Sequence, residues 1–379
     1  FVEMEKKLSI YFVMYMLPKV AIIYLSFHSD RHIDDAVSAW KKLTYPKDRL
    51  AFVIVDNPHP EFGNSVRMLE ERVKPLSGRE LSEVIILPQA ENLGFAGGNN
   101  VGIQWALDHG FDYVYLHNDD GFMAVNALEP IVDTMEKDKT IGVAQSLMLL
   151  HPDTEYVNSA GNAYHYLGFG FCNEYRTKFA DLRISSIQDV GYTSGAAVLL
   201  RADLLRQFGL WDKDFFLYHE DMEYSLRLRI AGYRAAVVRD SLFFHKYQFG
   251  RSIEKFYWME RNRFSVLLMF FKIPTLLLLL PMLIILEGGM WLFALRGGTL
   301  GVRFKVYWYW LNPFHWKLWL IKRRYIQSIR KMSDRELLKN AASTIEFQEK
   351  MMQNPILTYV GNPLMKLYYH IIVRGLIFW

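Results

Sequence analysis

Four short apolar runs, interleaved with stretches of helical length, constrain this chain more than any other feature. Val-Ala-Ile-Ile-Tyr-Leu at 20–25, Leu-Ala-Phe-Val-Ile-Val at 50–55, Glu-Val-Ile-Ile-Leu at 83–87 and Tyr-Val-Tyr-Leu at 113–116 are continuous rather than alternating. Runs of this kind belong to strands buried on both faces. Between them, 31–43, 64–74 and 97–109 mix polar and apolar residues over helical lengths. The alternation predicts an α/β fold, a mostly parallel sheet with helices on both faces. Ligands of such sheets bind at the carboxyl ends of the strands. Ser26, Asp56, Asn118, Asp119 and Asp120 all fall at those ends.

The pattern changes after 140. Residues 141–150 and the Gly/Tyr/Phe-rich 155–175 read as strands and loops with a hairpin, 202–208 and 220–231 as helices, and 234–239 as a strand. Beyond 246 the chain becomes membrane-like. Residues 273–295 carry one charge, Glu287, and are interrupted by Pro274, Pro281 and Gly288-Gly289. Their length suffices for a crossing. A single pass would put the basic 296–379 opposite the equally basic Arg261, Arg263 and Lys272, against the positive-inside tendency. A broken, re-entrant or in-plane helical element is therefore expected, ahead of a single pass. The stretch 303–319, rich in Trp, Tyr, Phe, Lys and Arg, has the make-up of an interfacial belt, and 364–379 reads as a terminal interfacial helix. The apolar stretch 10–17 is too short to span a bilayer, and no signal-peptide pattern is evident.

Charge divides the chain at the same place. Residues 1–245 hold 24 Lys+Arg against 33 Asp+Glu, and 246–379 hold 20 against 7, giving −9 and +13 and the overall +4. An acidic N-terminal half joined to a basic, aromatic C-terminal region predicts attachment to an anionic membrane surface. Nucleic-acid binding is the competing reading. It is disfavoured because the basic residues alternate with Leu, Trp and Phe. Cys172 is the single cysteine, which leaves no disulfide partner within this sequence and fits a reducing compartment.

The chemistry-bearing residues cluster in four places. Asp119-Asp120 closes a strand, where a carboxylate pair either grips Mg²⁺ or Mn²⁺ or simply caps a solvated turn. His245 ends the strand-like Phe243-Phe244-His245 and is either a metal ligand or a backbone-bonded strand end. Glu220-Asp221 opens a helix, where acids complement the dipole or, in the functional reading, make Asp221 a general base. Asn92-Leu-Gly-Phe-Ala-Gly-Gly-Asn-Asn100 is a glycine-rich loop leading into a helix near Gly98. Its backbone amides, at Asn92, Gly97 and Gly98, suit a pyrophosphate. It is neither GxGxxG nor a Walker A sequence.

Taken in order, Val55-Asp56-Asn57, the 92–100 loop, His117-Asn-Asp-Asp120, Ser194-Gly-Ala-Ala-Val-Leu-Leu-Arg201, Phe216-Leu-Tyr-His-Glu-Asp221 and Phe244-His245 resemble the family 2 glycosyltransferases. The likeness is to the bacterial rhamnosyl- and galactofuranosyltransferase branch and covers about 18–260. It implies a GT-A fold, a nucleotide-diphosphate sugar donor, a divalent metal and transfer with inversion. By the same resemblance Asp56 contacts the base or ribose of the donor, and Asp120 and His245 bind the metal. Asp221 is the inverting base. Asn118 stands where the family's DxD-like element begins with Asp, which weakens the ribose contact or shifts it to Asp119. Trp211, Asp212 and Glu220 fall on the acceptor side.

The expected division is a catalytic domain at 18–260 and a membrane-associated helical region at 261–379. The expected location is the cytoplasmic face of the bacterial inner membrane, and the expected acceptor a polyprenyl-diphosphate-linked glycan. Two other readings stand beside this one. A nucleotidyltransferase that makes nucleotide-sugars would want a glycine-rich basic loop after the first strand, and Leu25-Ser-Phe-His-Ser-Asp30 lacks both glycine and base. A catalytically inactive membrane scaffold would have no use for intact Asp120, Asp221 and His245.

Overall fold

A computed structural model describes residues 17–247, 253–345 and 354–379. The apolar stretch 10–17 lies, apart from Leu17, outside them.

The first three expected strands form as β1 (Val20–Ser26), β2 (Leu50–Asp56) and β3 (Glu83–Pro88), and the fourth as β4 (Tyr113–Asn118). They lie side by side in the order β3-β2-β1-β4, all parallel. Alternate residues of β1 serve two cores. Val20, Ile22 and Tyr24 join one cluster with Phe52 and Trp40, whereas Ala21, Ile23 and Leu25 join another with Val53 and Ile103. A strand covered on both faces must be apolar at every position, which is why the runs of β1, β2 and β4 are continuous.

The other half of the sheet is mixed. β6 (Ile141–Leu150) and β12 (Arg234–His245) are parallel neighbours, but β11 (Ala197–Arg201) is antiparallel between β4 and β6. The two strand-like stretches 234–239 and 240–245 are one strand, with a register shift between Val238 and Leu242. The short β5 (Gly121–Met123) pairs with the end of β12, so His245 comes opposite Gly121. The expected hairpin forms from β8 (Asn162–Tyr164) and β9 (Gly170–Cys172), while the short β7 (Val157–Ser159) and β10 (Ile187–Asp189) pair with β6 and β12.

Helix α1 (Ile33–Trp40) covers one face. Helix α2 (Val66–Arg72) precedes β3, and α3 (Gly94–Asp108) packs on the second face. At Gly102 of α3 a Cβ would come within 2.5 Å of Ile23, so the helix sits closer to β1 than any side chain would permit. Helices α4 (Leu128–Lys137), α5 (Ala202–Phe208) and α6 (Glu220–Ile230) complete the α/β unit.

Four longer helices follow or straddle its edge: α7 (Ile253–Phe270), α8 (Ile273–Gly297), α9 (Leu300–Leu311) and α10 (Pro313–Ser328). The expected boundary at 260/261 falls inside α7, which runs through it. One apolar core joins Tyr164, Phe215 and Leu226 of the α/β unit to Phe270, Leu279 and Trp319. The expected break in 273–295 does not occur: α8 is a single 25-residue helix despite Pro281 and the glycine pair, long and apolar enough to cross a membrane by length and composition. Its Glu287 is held by Arg263, Arg303 and the Tyr307 hydroxyl, the last at 2.8 Å. Glu260 completes the network, 3.0 Å from Arg263 and 2.7 Å from Arg303. Two acids and two bases balance, which is the condition for tolerating charge in so dry a place.

Candidate active site

At the end of β4 consecutive acids engage different neighbours. The Asp119 carboxylate feels the backbone amide of Phe27, just past β1, which pulls its pKa down. Asp120 faces β12: its Oδ1 lies 2.9 Å from His245 Nε2 and also accepts Asn118 Nδ2. The Lys246 amide donates to the Asp120 carbonyl at 2.8 Å, fastening the turn to the strand end. Burial and the charge of Asp120 push the Asp119 carboxyl up to about 8, against the pull of the Phe27 amide. Burial acts on Asp120 as well, but His245, His32 and Asn118 more than offset it, and its pKa lies below the ordinary carboxylate value.

His245 is oriented from behind. Its Nδ1 lies 2.9 Å from Oδ1 of the buried Asn158. With Nδ1–H donating there, Nε2 is the nitrogen presented to Asp120. These two residues fit a hard divalent cation. Neighbouring ligands of an octahedral ion bonded at about 2.1 Å lie about 3.0 Å apart, and the imidazole–carboxylate spacing is 2.9 Å. No cluster of three or more His, Cys, Asp or Glu suited to a metal occurs among the described residues.

Asp56 ends β2 in register with Ser26 of β1. Ser26 Oγ donates to Asp56 Oδ1 at 2.8 Å, and the Ser65 amide donates to Oδ2 at 2.9 Å. Burial raises its pKa, and both donors pull it back. The carboxylate is thus rigidly held at the rim, with one lone pair on each oxygen left over.

The glycine-rich loop departs from expectation. Helix α3 begins at Gly94 rather than near Gly98, and its first amides are already used. Gly94 N–H donates to Asn92 Oδ1 at 2.8 Å, and the Phe95 and Ala96 amides donate to the Phe216 carbonyl at 2.7 and 3.4 Å. The Asn92 side chain is thus engaged with the backbone at the start of the helix. Gly97 lies within the helix, and a Cβ at Gly98 would come within 2.5 Å of Leu25 and 2.7 Å of Asn57. The glycine there serves close helix–sheet packing, so the expected pyrophosphate cradle at Asn92, Gly97 and Gly98 is not formed by these amides.

The segment feeding α6 is strained. Phe216, Tyr218 and His219 have φ of 61°, 66° and 68°. Positive φ costs a residue with a side chain about 1–2 kcal/mol, and such strain gathers at functional sites. It delivers Asp221, whose Oδ1 accepts the Met222 amide at 2.7 Å and Oδ2 the Gly195 amide at 3.2 Å. Burial raises this carboxyl to about 6 while the two amides hold it down. Ala196, beside Gly195, accepts the Asn118 amide at 2.9 Å, so the Asp221 contact and the Asp120 turn share one rim. Burial, then the charges of Glu220 and Asp120, push the Tyr218 phenol up to about 12, which places it near both acids. Glu220 is buried with Oε2 lacking a partner.

Two expected acceptor-side residues are structural. Trp211 is buried beneath Gly195, where a Cβ would come within 2.7 Å of its ring, and its backbone is paired with Asn100. It has no surface to offer an acceptor. Asp212 caps the short turn Lys213–Phe215 and binds Lys322 of α10. Sequence reasoning missed Asn158 and Asn262, and took Arg261 only as part of the basic approach to 273–295. The available signal was polarity out of place: an Asn in the apolar surroundings of 156–160, and an Asn in the middle of a helix, where it is disfavoured.

The chain matches the sequence model described as glycosyltransferase-like family 2 over residues 18–264. It belongs to that family, and its fold is GT-A. Among solved structures it is similar to GalNAc-T7 with UDP, GalNAc and Mn²⁺, at 16% identity and a TM-score of 0.52, over 67% of this chain and 48% of that one. It is also similar to S. aureus TarS, at 17% identity and 0.45, over 66% and 40%. The TarS 1–349 complex with UDP-GlcNAc matches at 16% and 0.43, over 66% of each chain. The chain thus spans about half the length of the first of these. A comparison with curated proteins found no match.

Proposed function

We propose that this protein is an inverting, metal-dependent glycosyltransferase that moves a sugar from a nucleotide-diphosphate donor to a membrane-anchored glycan. The observation that carries the reading is the 2.9 Å contact of Asp120 with His245 on the same rim as a carboxylate, Asp221, raised to about 6. Asp56 and Asp119, at the ends of β2 and β4, face the nucleoside. When bound at Asp120 and His245, a Mg²⁺ or Mn²⁺ ion neutralises charge on the departing diphosphate. GalNAc-T7 carries UDP and Mn²⁺ in its structure, which is in keeping with such a site.

Asp221 takes the proton of the acceptor hydroxyl. The oxygen attacks the anomeric carbon from the face opposite the diphosphate, and the bond to the diphosphate oxygen breaks with its electron pair. A base with pKa near 6 is ionised at neutral pH yet still basic enough to accept that proton. Glu220, buried beside it, lies on the acceptor side.

The acceptor class rests on the surface of the C-terminal helices. Of 28 large apolar side chains exposed among the described residues, 24 lie at or beyond Ile273, among them Leu277, Ile284, Trp308 and Phe314. So much exposed apolar surface supports a membrane-facing region. Interspersed Lys and Arg suit an anionic leaflet. We place the protein on the cytoplasmic face of the bacterial inner membrane, with its C-terminal helices in-plane, acting on a polyprenyl-diphosphate-linked glycan.

A panel of nucleotide-sugars tests the activity, with donor hydrolysis followed in Mg²⁺, in Mn²⁺ and in a chelator. Cation-dependent release of a nucleoside diphosphate supports it; pyrophosphate release from a nucleoside triphosphate and a sugar phosphate would support the nucleotidyltransferase reading instead. Replacing Leu277, Ile284, Trp308 and Phe314 together by Ser should abolish co-sedimentation with phosphatidylglycerol vesicles. Retained co-sedimentation refutes the membrane assignment.

A further inference from the structure

The strained segment before Asp221 is held from one side by a single amide. Asn262, fully buried on α7, donates from Nδ2 to the carbonyls of Phe215 (2.9 Å), Leu217 (3.0 Å) and Tyr218 (2.6 Å). Its orientation is not free. Oδ1 accepts Arg261 Nε at 2.8 Å, which obliges the NH₂ to face the three carbonyls. Arg261 itself reaches the carbonyls of Asp214 and Phe215 and lies over the rings of Trp258, Tyr309 and Trp319, at 4.7, 5.2 and 5.6 Å. The remaining carbonyl of the segment, Phe216, is taken by the first amides of α3.

Every carbonyl from 215 to 218 therefore has a partner outside its own segment. Three of those four partners belong to one residue. Backbone with positive φ at three of four consecutive positions persists only where surrounding contacts over-determine it. Here those contacts are Asn262 and the start of α3.

We infer that Asn262 is a positioning residue for Asp221: it fixes the strained 215–219 backbone, and through it the direction from which the base meets the acceptor hydroxyl. This rests on the reading of Asp221 as the base. Geometry of this kind matters because a shift of about 1 Å in a reacting group can cost ~10²-fold in rate. Asn262 touches no reacting atom, so its loss should alter turnover rather than donor affinity.

The test uses the full chain as wild type, Asn262→Ala and Asn262→Ser. Amide exchange is followed by mass spectrometry over 214–222, with 113–118 in the sheet as internal reference. Kinetics use whichever nucleotide-sugar the panel above shows to be turned over fastest. In Asn262→Ala, exchange over 214–222 should rise at least ~10-fold with 113–118 unchanged, and kcat should fall ~10–100-fold with the donor KM within ~2-fold. Asn262→Ser, which keeps one shorter donor, should fall between, and it carries the same comparison if the alanine variant does not fold. Unchanged exchange over 214–222 overturns the proposal, and so does faster exchange with wild-type kcat. Full turnover in Asp221→Asn would remove the base assignment alone, while the exchange data would still report on the brace.

Discussion

Asp221→Asn separates the chemistry from the fold. A general base contributes ~10²–10⁴-fold, or about 3–5 kcal/mol of barrier. The structure adds a pH dependence. With the carboxyl raised to about 6 by burial, the ionised form makes up about 90% of the population at pH 7 and about 10% at pH 5. The wild-type kcat/KM should therefore rise roughly tenfold across that interval and level off above pH 7, and the Asn variant should lose this limb. Stability runs the other way. A carboxyl whose pKa is higher in the folded than in the unfolded chain contributes stability that is present below about 3.8 and lost as pH rises through about 6. Relative to Asp221→Asn, which does not titrate, wild type should lose Tm between pH 4 and pH 8. Stopped assays across pH 5–8 with matched thermal melts read both effects. Turnover in the variant within threefold of wild type, or an inflection near 4, would refute the reasoning.

Asn158→Ala should leave the fold intact and weaken Mn²⁺ binding ~10–100-fold, because His245 loses the partner that sets its tautomer; Mn²⁺ titration in the presence of UDP, followed by electron paramagnetic resonance, measures it, and an unchanged affinity would remove Asn158 from the site. Glu287→Ala leaves Arg263 and Arg303 sharing Glu260 alone. Breaking one member of a buried ion network costs about 3–5 kcal/mol, so the melting transition should drop by several degrees, and a change under one degree would show the network to be dispensable.

What could be read from the sequence was set by how local its cause is. Strands β1, β2 and β4 are legible because being buried on both faces leaves a mark on every residue, as Val20 to Leu25 show, whereas β3 at the sheet edge is only partly covered. Asp120 and His245 could be named from their strand ends, yet nothing local says that residues 125 positions apart come within 2.9 Å. The antiparallel β11 was out of reach, since Ala197–Arg201 is as apolar as any parallel strand and only its pairing distinguishes it. The glycine loop misled for a physical reason. Glycine marks a close approach of backbone but not what approaches, and at Gly98 the neighbours are Leu25 and Asn57 rather than a phosphate. Trp211-Asp212 misled likewise, because polarity and ring size do not reveal that Lys322, 110 residues on, neutralises the acid.

The same long-range contacts bear on how catalysis and membrane docking relate. Lys322 ties α10 to Asp212 and Asp214, and Trp319 meets Phe215 edge-on at 5.3 Å. Phe216 stacks on Trp258 of α7 at 4.7 Å. The segment that delivers Asp221 is thus walled by α7 and by α10, and the outer face of α10 carries exposed apolar side chains such as Phe314 and Leu320. The family match ends at 264, two residues past Asn262, so the matched portion includes the brace and stops where the apolar helices begin. On the proposed function, the membrane-facing region is then a wall of the acceptor side rather than a detachable anchor. Cutting the chain at 260 would remove Arg261 and Asn262 and uncover four segment carbonyls, from Asp214, Phe215, Leu217 and Tyr218, that these two side chains now satisfy. A truncation made there would lose activity through the segment before Asp221, whatever it did to membrane binding. Surface substitutions on α8, α9 and α10 are therefore the perturbation that separates the two roles.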